Sequence, residues 1–358
     1  MKKAISLFIS SLIVFWSYAQ DSYDSYGKDG VPSGDHTPTT AIDGLLYKLN
    51  EATFTAMVAN GNSWEGELNI PEQVTYDGKT YTVDRIEWNA FDNCKTLSKV
   101  RIPKTVTDIR HYCGIEWFKN PFKGCTSLEC IEVDNDNQCM CSAGGILFSK
   151  DKTQLYCYPA GLKSETYNVP DCVSWIGNNA FAHNSFLVKL TIPNSVTYIS
   201  SSLFKGCESL QSISISEGVS FIEAYTFENC KSLKILDIPK NVRGFGESVF
   251  RWSPIKTLVI RGSFPDGFRY DTFDCMDDEV VIYVQRLEME KLKSELKKVR
   301  GFSGTVLPLE SYTTVSVDKP SCMTTESSIF YDLQGRRING KQPRKGVYIR
   351  NGRKVIAK

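Results

Sequence analysis

Cysteine supplies the most reactive side chains of this sequence, which contains 12 of them among 358 residues. In an oxidising compartment such residues pair as disulfides, and elsewhere their thiolates bind metals. Cys94, Cys125, Cys207 and Cys230 each follow a phenylalanine by three residues, and Asn184 holds the same place after another. A position shared by Cys and Asn is typical of a small side chain buried beneath a turn. We therefore expect four free, buried thiols, with a disulfide between Cys207 and Cys230 as the alternative.

The other cysteines offer a second kind of chemistry, metal binding. Residues 139–141 read Cys-Met-Cys, and Cys113, Cys130 and Cys157 lie in the same irregular part of the chain. Structural zinc sites normally use cysteine pairs separated by about two to four residues, often with histidine. This sequence has C-x-C and only three scattered histidines. We expect no metal and no cofactor, and local disulfides or free thiols at these positions.

Catalytic motifs find little support. No serine lies in a G-x-S-x-G nucleophile motif, and the Gly144-Gly145 pair predicts a turn rather than a phosphate loop. Residues 134–137 (Asp-Asn-Asp-Asn) resemble the start of a calcium loop but lack its glycine and terminal glutamate, which favours a solvated turn. The net charge of +1 gives no electrostatic reason to bind nucleic acid or a membrane surface. These features predict a non-enzymatic protein without a nucleic-acid partner.

Phenylalanine recurs at a fixed interval and reveals the elements that position these residues. Phe181, Phe204, Phe227, Phe250 and Phe273 are each 23 residues apart, and the first three are followed by L-x-x-[LI]-x-I. A period of about 20 to 29 residues with this pattern is typical of leucine-rich repeats. We predict a mainly β solenoid of 23-residue repeats in which each coil contributes one short strand and one core phenylalanine. Such a solenoid presents a surface, and surfaces of this kind usually bind other molecules.

Composition changes along the chain predict six segments. The start has two lysines, an apolar run at residues 4–16 and Ser-Tyr-Ala at 17–19, which together predict a secretory signal. The Asp77-Gly78 pair between alternating residues predicts a β-hairpin, and residues 286–300 have the apolar spacing of a short helix. The expected segments are a signal peptide (1–19), a polar linker (20–41), an N-terminal β cap (42–83), the solenoid with a helical C-terminal cap (84–310), a second linker (311–328) and a C-terminal β tail (329–358).

Two insertions interrupt the repeats. One falls within residues 110–120 and contains Trp117 beside Phe118, the aromatic pair we would inspect for an exposed contact. The other lies between Val133 and Val173, where residues 146–149 and 155–158 predict a hairpin that takes the place of one coil.

The outward positions of the repeat strands form the candidate binding face. Between the last two inward residues of successive coils lie Arg101, Glu132, Thr191, Ser214, Asp237 and Val259. Two residues earlier lie Lys99, Cys130, Lys189, Ser212, Ile235 and Thr257. The chemistry is mixed, with neither an aromatic ladder for sugar stacking nor a basic stripe for phosphate. A solubilising face without a ligand is therefore the alternative to a binding face.

The full repeat pattern is V-x-x-I-x-x-x-A-F-x-x-C-x-x-L-x-x-[LI]-x-I-P, carried almost whole by residues 83–103, 173–193 and 219–239. It resembles the BspA-like family of bacterial leucine-rich repeat surface proteins, and the resemblance covers about residues 42–310. It implies a secreted or cell-surface monomer that binds a protein or glycan at the cell exterior, as adhesins of the family do. The alternatives are a structural envelope protein without a specific ligand and a carbohydrate-binding accessory protein.

The C-terminal tail predicts a small β unit of three strands. It contains Y-D-L-x-G-R at residues 331–336, G-x-Y-I at 346–349, an Asn351-Gly352 turn and a final lysine. These pieces are similar to the C-terminal sorting domains of the type IX secretion system, although this tail is shorter. The resemblance implies sorting to the outer membrane, and the alternative is a unit that packs on the last coil. No segment after residue 19 is apolar enough to predict a transmembrane span.

Overall fold

The chain is mainly β and divides into two compact units. A computed structural model describes residues 38–109, 120–263, 267–274, 279–300 and 302–312, and the backbone of four short strands nearer the C-terminus. Unit 1 comprises Met1–Lys163 and Trp175–Asn184, and unit 2 comprises Ser164–Ser174 and Ser185–Lys358. One α-helix, α1 (Met289–Leu296), lies in the described part. The expected fold class, a mainly β leucine-rich repeat solenoid, is confirmed.

Unit 1 contains three sheets. Its strands are β1 (Thr39–Ile42), β2 (Leu45–Asn50), β3 (Thr55–Val58), β4 (Gly66–Asn69), β5 (Gln73–Tyr76), β6 (Lys79–Ile86), β7 (Leu97–Ile102), β8 (Cys130–Val133), β9 (Met140–Ala143), β10 (Ile146–Ser149), β11 (Gln154–Cys157) and β13 (Trp175–Ile176). The sheet orders are β1-β2-β3-β6-β5, β4-β7-β8 and β13-β11-β10-β9. Asp77 and Gly78 have φ of 48° and 71°, as a two-residue hairpin between β5 and β6 requires. The predicted hairpins at Asp77 and at β10–β11 are confirmed.

The coils of unit 2 contribute short parallel strands, and four antiparallel strands follow them. Its strands are β12 (Thr166–Asn168), β14 (Lys189–Thr191), β15 (Tyr198–Ile199), β16 (Ser212–Ser214), β17 (Phe221–Ile222), β18 (Ile235–Ile238), β19 (Thr257–Ile260), β20 (Val280–Val284), β21 (Gly304–Pro308), β22 (Phe330–Tyr331), β23 (Arg337–Ile338), β24 (Gly346–Arg350) and β25 (Arg353–Ala357). The orders are β12-β14-β16, β18-β19-β20-β21 and, on the opposite wall, β15-β17, all with parallel pairing. Helix α1 follows a 3₁₀ turn at Arg286–Glu288 and buries Leu292 and Leu296.

Strand alternation separates the core from the surface. In unit 1, Leu68, Val100 and Ile131 are register partners on β4, β7 and β8, and all three are buried. Because successive side chains in a strand point to opposite faces, their neighbours on each strand point outward. The same rule buries Leu236 and Leu258 in unit 2. The L-x-x-L-x-I pattern is thus the inward half of a parallel ladder.

Aromatic rings stack from coil to coil in the core of both units. The ring-centroid distances are Phe91–Phe122 5.5 Å, Tyr158–Phe181 4.9 Å, Phe204–Phe227 5.6 Å, Phe227–Phe250 6.0 Å, Phe250–Phe273 5.8 Å and Phe273–Phe302 5.4 Å. Tyr158, 23 residues before Phe181, takes the place of a phenylalanine within the second insertion. Phe302 extends the stack beyond the last regular repeat. Neither residue fits the repeat of phenylalanine at 23-residue intervals, because Tyr158 is a tyrosine and Phe302 follows Phe273 by 29 residues.

After five of the rings, the side chain three places later donates a hydrogen bond to the preceding coil. Cys94 Sγ donates to Asn62 O at 3.0 Å, Cys125 Sγ to Phe91 O at 3.1 Å and Cys230 Sγ to Phe204 O at 3.2 Å. Asn184 Nδ2 donates to Pro159 O at 3.0 Å, and Ser253 Oγ donates to Phe227 O. All five donors are small and buried, whereas Gly161 holds the same place after Tyr158. Cys94, Cys125, Cys207 and Cys230 are all buried thiols that form no disulfide, as expected.

The C-terminal tail has four short strands rather than the three expected. They form an antiparallel sheet with the order β23-β22-β24-β25. The predicted strand at residues 330–338 is divided into β22 and β23, which pair with each other. The longest pairing joins β24 and β25, from Gly346 opposite Ala357 to Arg350 opposite Arg353.

Candidate functional site: the outward strand face

The outward face of unit 1 carries charges that neutralise one another. Arg101 on β7 and Glu132 on β8 are register partners, and Lys99 Nζ lies 2.7 Å from Glu132 Oε1. The hydrogen bond from Lys99 lowers the pKa of Glu132 and raises that of Lys99. Burial raises the pKa of the half-buried Cys130 thiol, the register partner of Lys99. This face offers a partner little unbalanced charge.

The first parallel strands of unit 2 present small polar side chains. Thr191 on β14 and Ser214 on β16 are register partners, and both are exposed. Lys189 and Ser212 are the outward pair two residues earlier on the same strands. Two of the predicted site residues therefore lie side by side on a surface made mainly of hydroxyl groups.

The last strands of unit 2 differ in character. Arg261 binds Asp237 through two parallel hydrogen bonds, with Nε–Oδ1 2.6 Å and Nη2–Oδ2 2.5 Å. Tyr283 and Tyr312 pair with ring centroids 4.9 Å apart and an interplanar angle of 53°. Burial and the Asp237 carboxylate raise the pKa of Tyr312, while Arg261 opposes that rise. We call Asp237, Arg261, Tyr283 and Tyr312 the Arg261 cluster.

The Arg261 cluster corrects one expectation and adds three residues to the candidate face. The expectation that Val259 is exposed is wrong, because its side chain is fully buried. Val259 lies between two larger register partners, Asp237 and Tyr283, which cover it. Arg261 follows Val259 by two residues in the chain. A sequence signal for Tyr283 exists, since it follows Val259 by 24 residues, near the repeat interval. Tyr312 follows the last strand and carries no repeat signal.

The residues considered for metal or calcium binding lie in a turn and in strand β9. Asn137, in the acidic run, is buried and not solvated: its Nδ2 donates to Pro103 O at 3.0 Å and to Val106 O at 2.8 Å. Cys141 Sγ donates to Ser149 O at 3.2 Å, and Cys139 is exposed. Within the described ranges, no three His, Cys, Asp or Glu side chains gather closely enough to hold a metal ion. Trp117 and Cys113 lie outside the described residues.

Solved structures of bacterial leucine-rich repeat proteins resemble the chain. The pneumococcal vaccine antigen PcpA is 17% identical with a TM-score of 0.44, covering 76% of this chain and 99% of that one. A leucine rich cell surface protein from Faecalibacterium prausnitzii is 16% identical with a TM-score of 0.39, covering 78% and 96%. A leucine-rich repeat protein from Bacteroides ovatus is 22% identical with a TM-score of 0.42, covering 75% and 67%.

The family assignment rests on the sequence itself. Comparison with curated proteins gives no significant match. The pattern described as the BspA type leucine rich repeat region matches six copies, at residues 79–143 and 152–274, just over half of the chain. Those ranges contain the core phenylalanines, the buried Cys position and most of the strands described above. The chain therefore belongs to the BspA-type leucine-rich repeat family.

Proposed function

We propose that this protein is exported, is not an enzyme, and binds another protein at the cell exterior through the outward strand face of unit 2. The Arg261 cluster is the observation that carries the proposal. Tyrosine and arginine are over-represented among the residues that dominate the energy of protein interfaces. Here two tyrosines and a carboxylate-braced arginine lie together on the outward side of a rigid parallel sheet.

The geometry of the Arg261 cluster suits association with a protein surface. The Asp237 carboxylate holds the Arg261 guanidinium in a bidentate pair, and the paired tyrosine rings have few rotatable bonds. Both features reduce the conformational entropy lost on binding. Because leucine-rich repeat domains usually mediate protein binding, the family assignment supports the same conclusion.

Location at the cell exterior is the second part of the proposal. BspA-type leucine-rich repeat proteins are bacterial surface proteins. Residues 1–19 would direct export, and the tail of β22–β25 would act as a sorting element. None of the helices in the described part of the chain is long and apolar enough to cross a membrane. Deleting residues 321–358 should leave the melting of the repeats unchanged and keep the protein from the surface. A truncated protein that still reaches the surface would refute the sorting role.

A binding experiment with matched variants tests the strand-face proposal. The full chain, immobilised, is exposed to extracellular matrix proteins and, separately, to glycans. Tyr283→Ala should weaken binding of any captured protein by roughly tenfold or more, the loss typical of a hot spot. Ser214→Ala, also on an outward strand position of unit 2, should leave that affinity unchanged. Equal affinity for the two variants would show that the Arg261 cluster is not the site.

A structural envelope role without a specific ligand is the second candidate. The paired Lys99 and Glu132 in unit 1 and the hydroxyl-lined strands β14 and β16 favour it. Failure of the full chain to capture any protein or glycan, together with retention in the cell envelope, would favour this role over binding.

A further inference from the structure

The turn around each core phenylalanine has a repeating backbone conformation. Two positions, two residues before and two residues after the ring, lie in the left-handed region with positive φ. Before the ring these are Asn179 (58°), Ser202 (55°), Tyr225 (57°) and Ser248 (47°). After the ring they are Asn93 (62°), Gly124 (77°), His183 (64°), Gly206 (72°), Asn229 (59°) and Trp252 (56°).

This conformation lets the turn bond to the next coil. Phe204 N donates to Thr226 O at 3.0 Å, and Gly206 N donates to Glu228 O at 2.8 Å. One coil later, Phe227 N donates to Val249 O at 3.0 Å and Asn229 N to Arg251 O at 2.9 Å. The N–H groups of alternate residues in the turn both point to the next coil, and the backbone can achieve this only with the left-handed residues. Glycine and asparagine tolerate that region well, and bulky residues do so poorly.

Two bulky residues occupy these positions in consecutive coils of unit 2. Tyr225 and Trp252 stand where the other coils have Gly, Asn, Ser or His. Core packing does not account for Trp252, whose side chain is 49% exposed. Trp252 has a backbone conformation that disfavours a bulky residue, and its side chain is not needed in the core. Such strain often marks a functional residue, which here would act at the surface.

Neighbouring side chains hold the two rings in place. The Arg251 guanidinium lies over the Trp252 ring, 4.1 Å from its centroid, and the side chain is half-exposed. Lys205 Nζ lies 5.9 Å from the centroid of the Tyr225 ring. Cations over aromatic faces are attracted by the ring quadrupole. The contact with Arg251 thus favours one orientation of the exposed Trp252 ring, which we call the platform.

Polar and charged groups of both signs surround this platform. The buried Nε of Arg251 has no hydrogen-bond partner. Asn229 holds the position of Trp252 one coil earlier, and its amide donates to Glu208 Oε1 at 3.3 Å. The Asp271 carboxylate accepts from Ser248 Oγ at 2.6 Å. Together with the exposed Glu247 and the buried Glu228, these groups balance the nearby cations and favour an uncharged ligand.

We propose that Trp252, Arg251 and Tyr225 form a binding site for a neutral saccharide on the phenylalanine-turn edge of unit 2. The free indole face stacks on the C–H face of a sugar ring, because the negative ring face attracts the weakly positive C–H groups. Arg251 and Asn229 hydrogen-bond the ring hydroxyls. The site lies on different residues from the Arg261 cluster, so the inference goes beyond the proposed protein-binding function.

Calorimetric titration of the full chain with neutral oligosaccharides of glucose, mannose, xylose and N-acetylglucosamine tests this site. We expect at least one to bind with a dissociation constant of roughly millimolar or tighter. Trp252→Asn should weaken it by roughly tenfold or more without lowering the melting temperature, since Asn suits the left-handed position. The control, His183→Asn at the same turn position, should bind as the wild type does.

Three results would overturn the saccharide site. One is that no neutral oligosaccharide binds the wild-type chain, and another is that Trp252→Asn binds as well as the wild type. The third is that Trp252→Asn abolishes capture of a protein while saccharides never bind, which would make the edge a protein interface. Tyr283→Ala should leave saccharide binding intact, so failure of this inference and failure of the strand-face proposal are distinguishable.

Discussion

Replacing Phe227 by alanine should remove the centre of an aromatic stack. The ring is fully buried and lies between Phe204 at 5.6 Å and Phe250 at 6.0 Å. Truncating a core phenylalanine costs about 3–5 kcal/mol, which combines lost burial with the cavity left behind. Aromatic pairs add about 0.5–1.5 kcal/mol each beyond burial, and two pairs are lost here. We therefore expect the upper part of that range.

Urea titration of the full chain, followed by circular dichroism, measures the effect. Because each coil is stabilised by its neighbours, the loss should shift the main transition and not only melt one coil. Leu287→Ala is the control, since that side chain is 92% exposed and its loss should change stability by less than about 0.5 kcal/mol. A loss below about 1 kcal/mol for Phe227→Ala would refute the stacked core.

Three further perturbations test other parts of the structure. The hydrogen bond with Cys94, and then burial, raises the pKa of the Cys125 thiol, and burial raises the pKa of the Cys230 thiol. Both should therefore react with a thiol reagent only after denaturation, and a disulfide-linked Cys207–Cys230 peptide in mass spectra would contradict this. Ser253→Ala should lower the free energy of unfolding, measured by urea titration, by about 1–3 kcal/mol, because Ser253 Oγ donates to Phe227 O and accepts from Cys230 N. Ser253→Cys should recover part of that loss, and no recovery would argue against a shared donor position. Burial, and then the charge of Asp43, raises the pKa of Tyr47 from 10.0 to about 12. Because the unfolded chain loses this proton at lower pH than the folded chain, the free energy of unfolding should fall as pH rises from 10 to about 12. Tyr47→Phe should make that fall less steep, and an unchanged dependence of stability on pH would refute the assignment.

The repeated features were predictable from the sequence because they depend on local pattern. Inward Leu and Ile recur where a parallel strand alternates, and the Asp77-Gly78 turn has the left-handed preference that a tight hairpin needs. The shared position of Cys and Asn predicted a buried small side chain, and the hydrogen bond from Cys125 to Phe91 O supplies the reason. Ser253 also follows its phenylalanine, Phe250, by three residues, but the prediction considered only Cys and Asn at that position.

The features that were not predicted depend on residues distant in the sequence. Tyr312 reaches Tyr283 from a segment after the last repeat strand, so no periodic pattern marks it. Val259 looked exposed by alternation, but larger partners on neighbouring strands cover it. Trp252 could be singled out only from its backbone φ angle, because the sequence does not show that this tryptophan has the left-handed conformation.

The most direct test of strand-face binding is photo-crosslinking from two positions of the full chain. Tyr283 is replaced by p-benzoyl-phenylalanine in one protein, and Trp252 in another, and each is irradiated with the captured protein partner. Crosslinks from position 283, in the Arg261 cluster, with none from position 252, are the predicted result. Crosslinks from position 252 alone would contradict the claim that a protein partner docks on the outward strand face of unit 2.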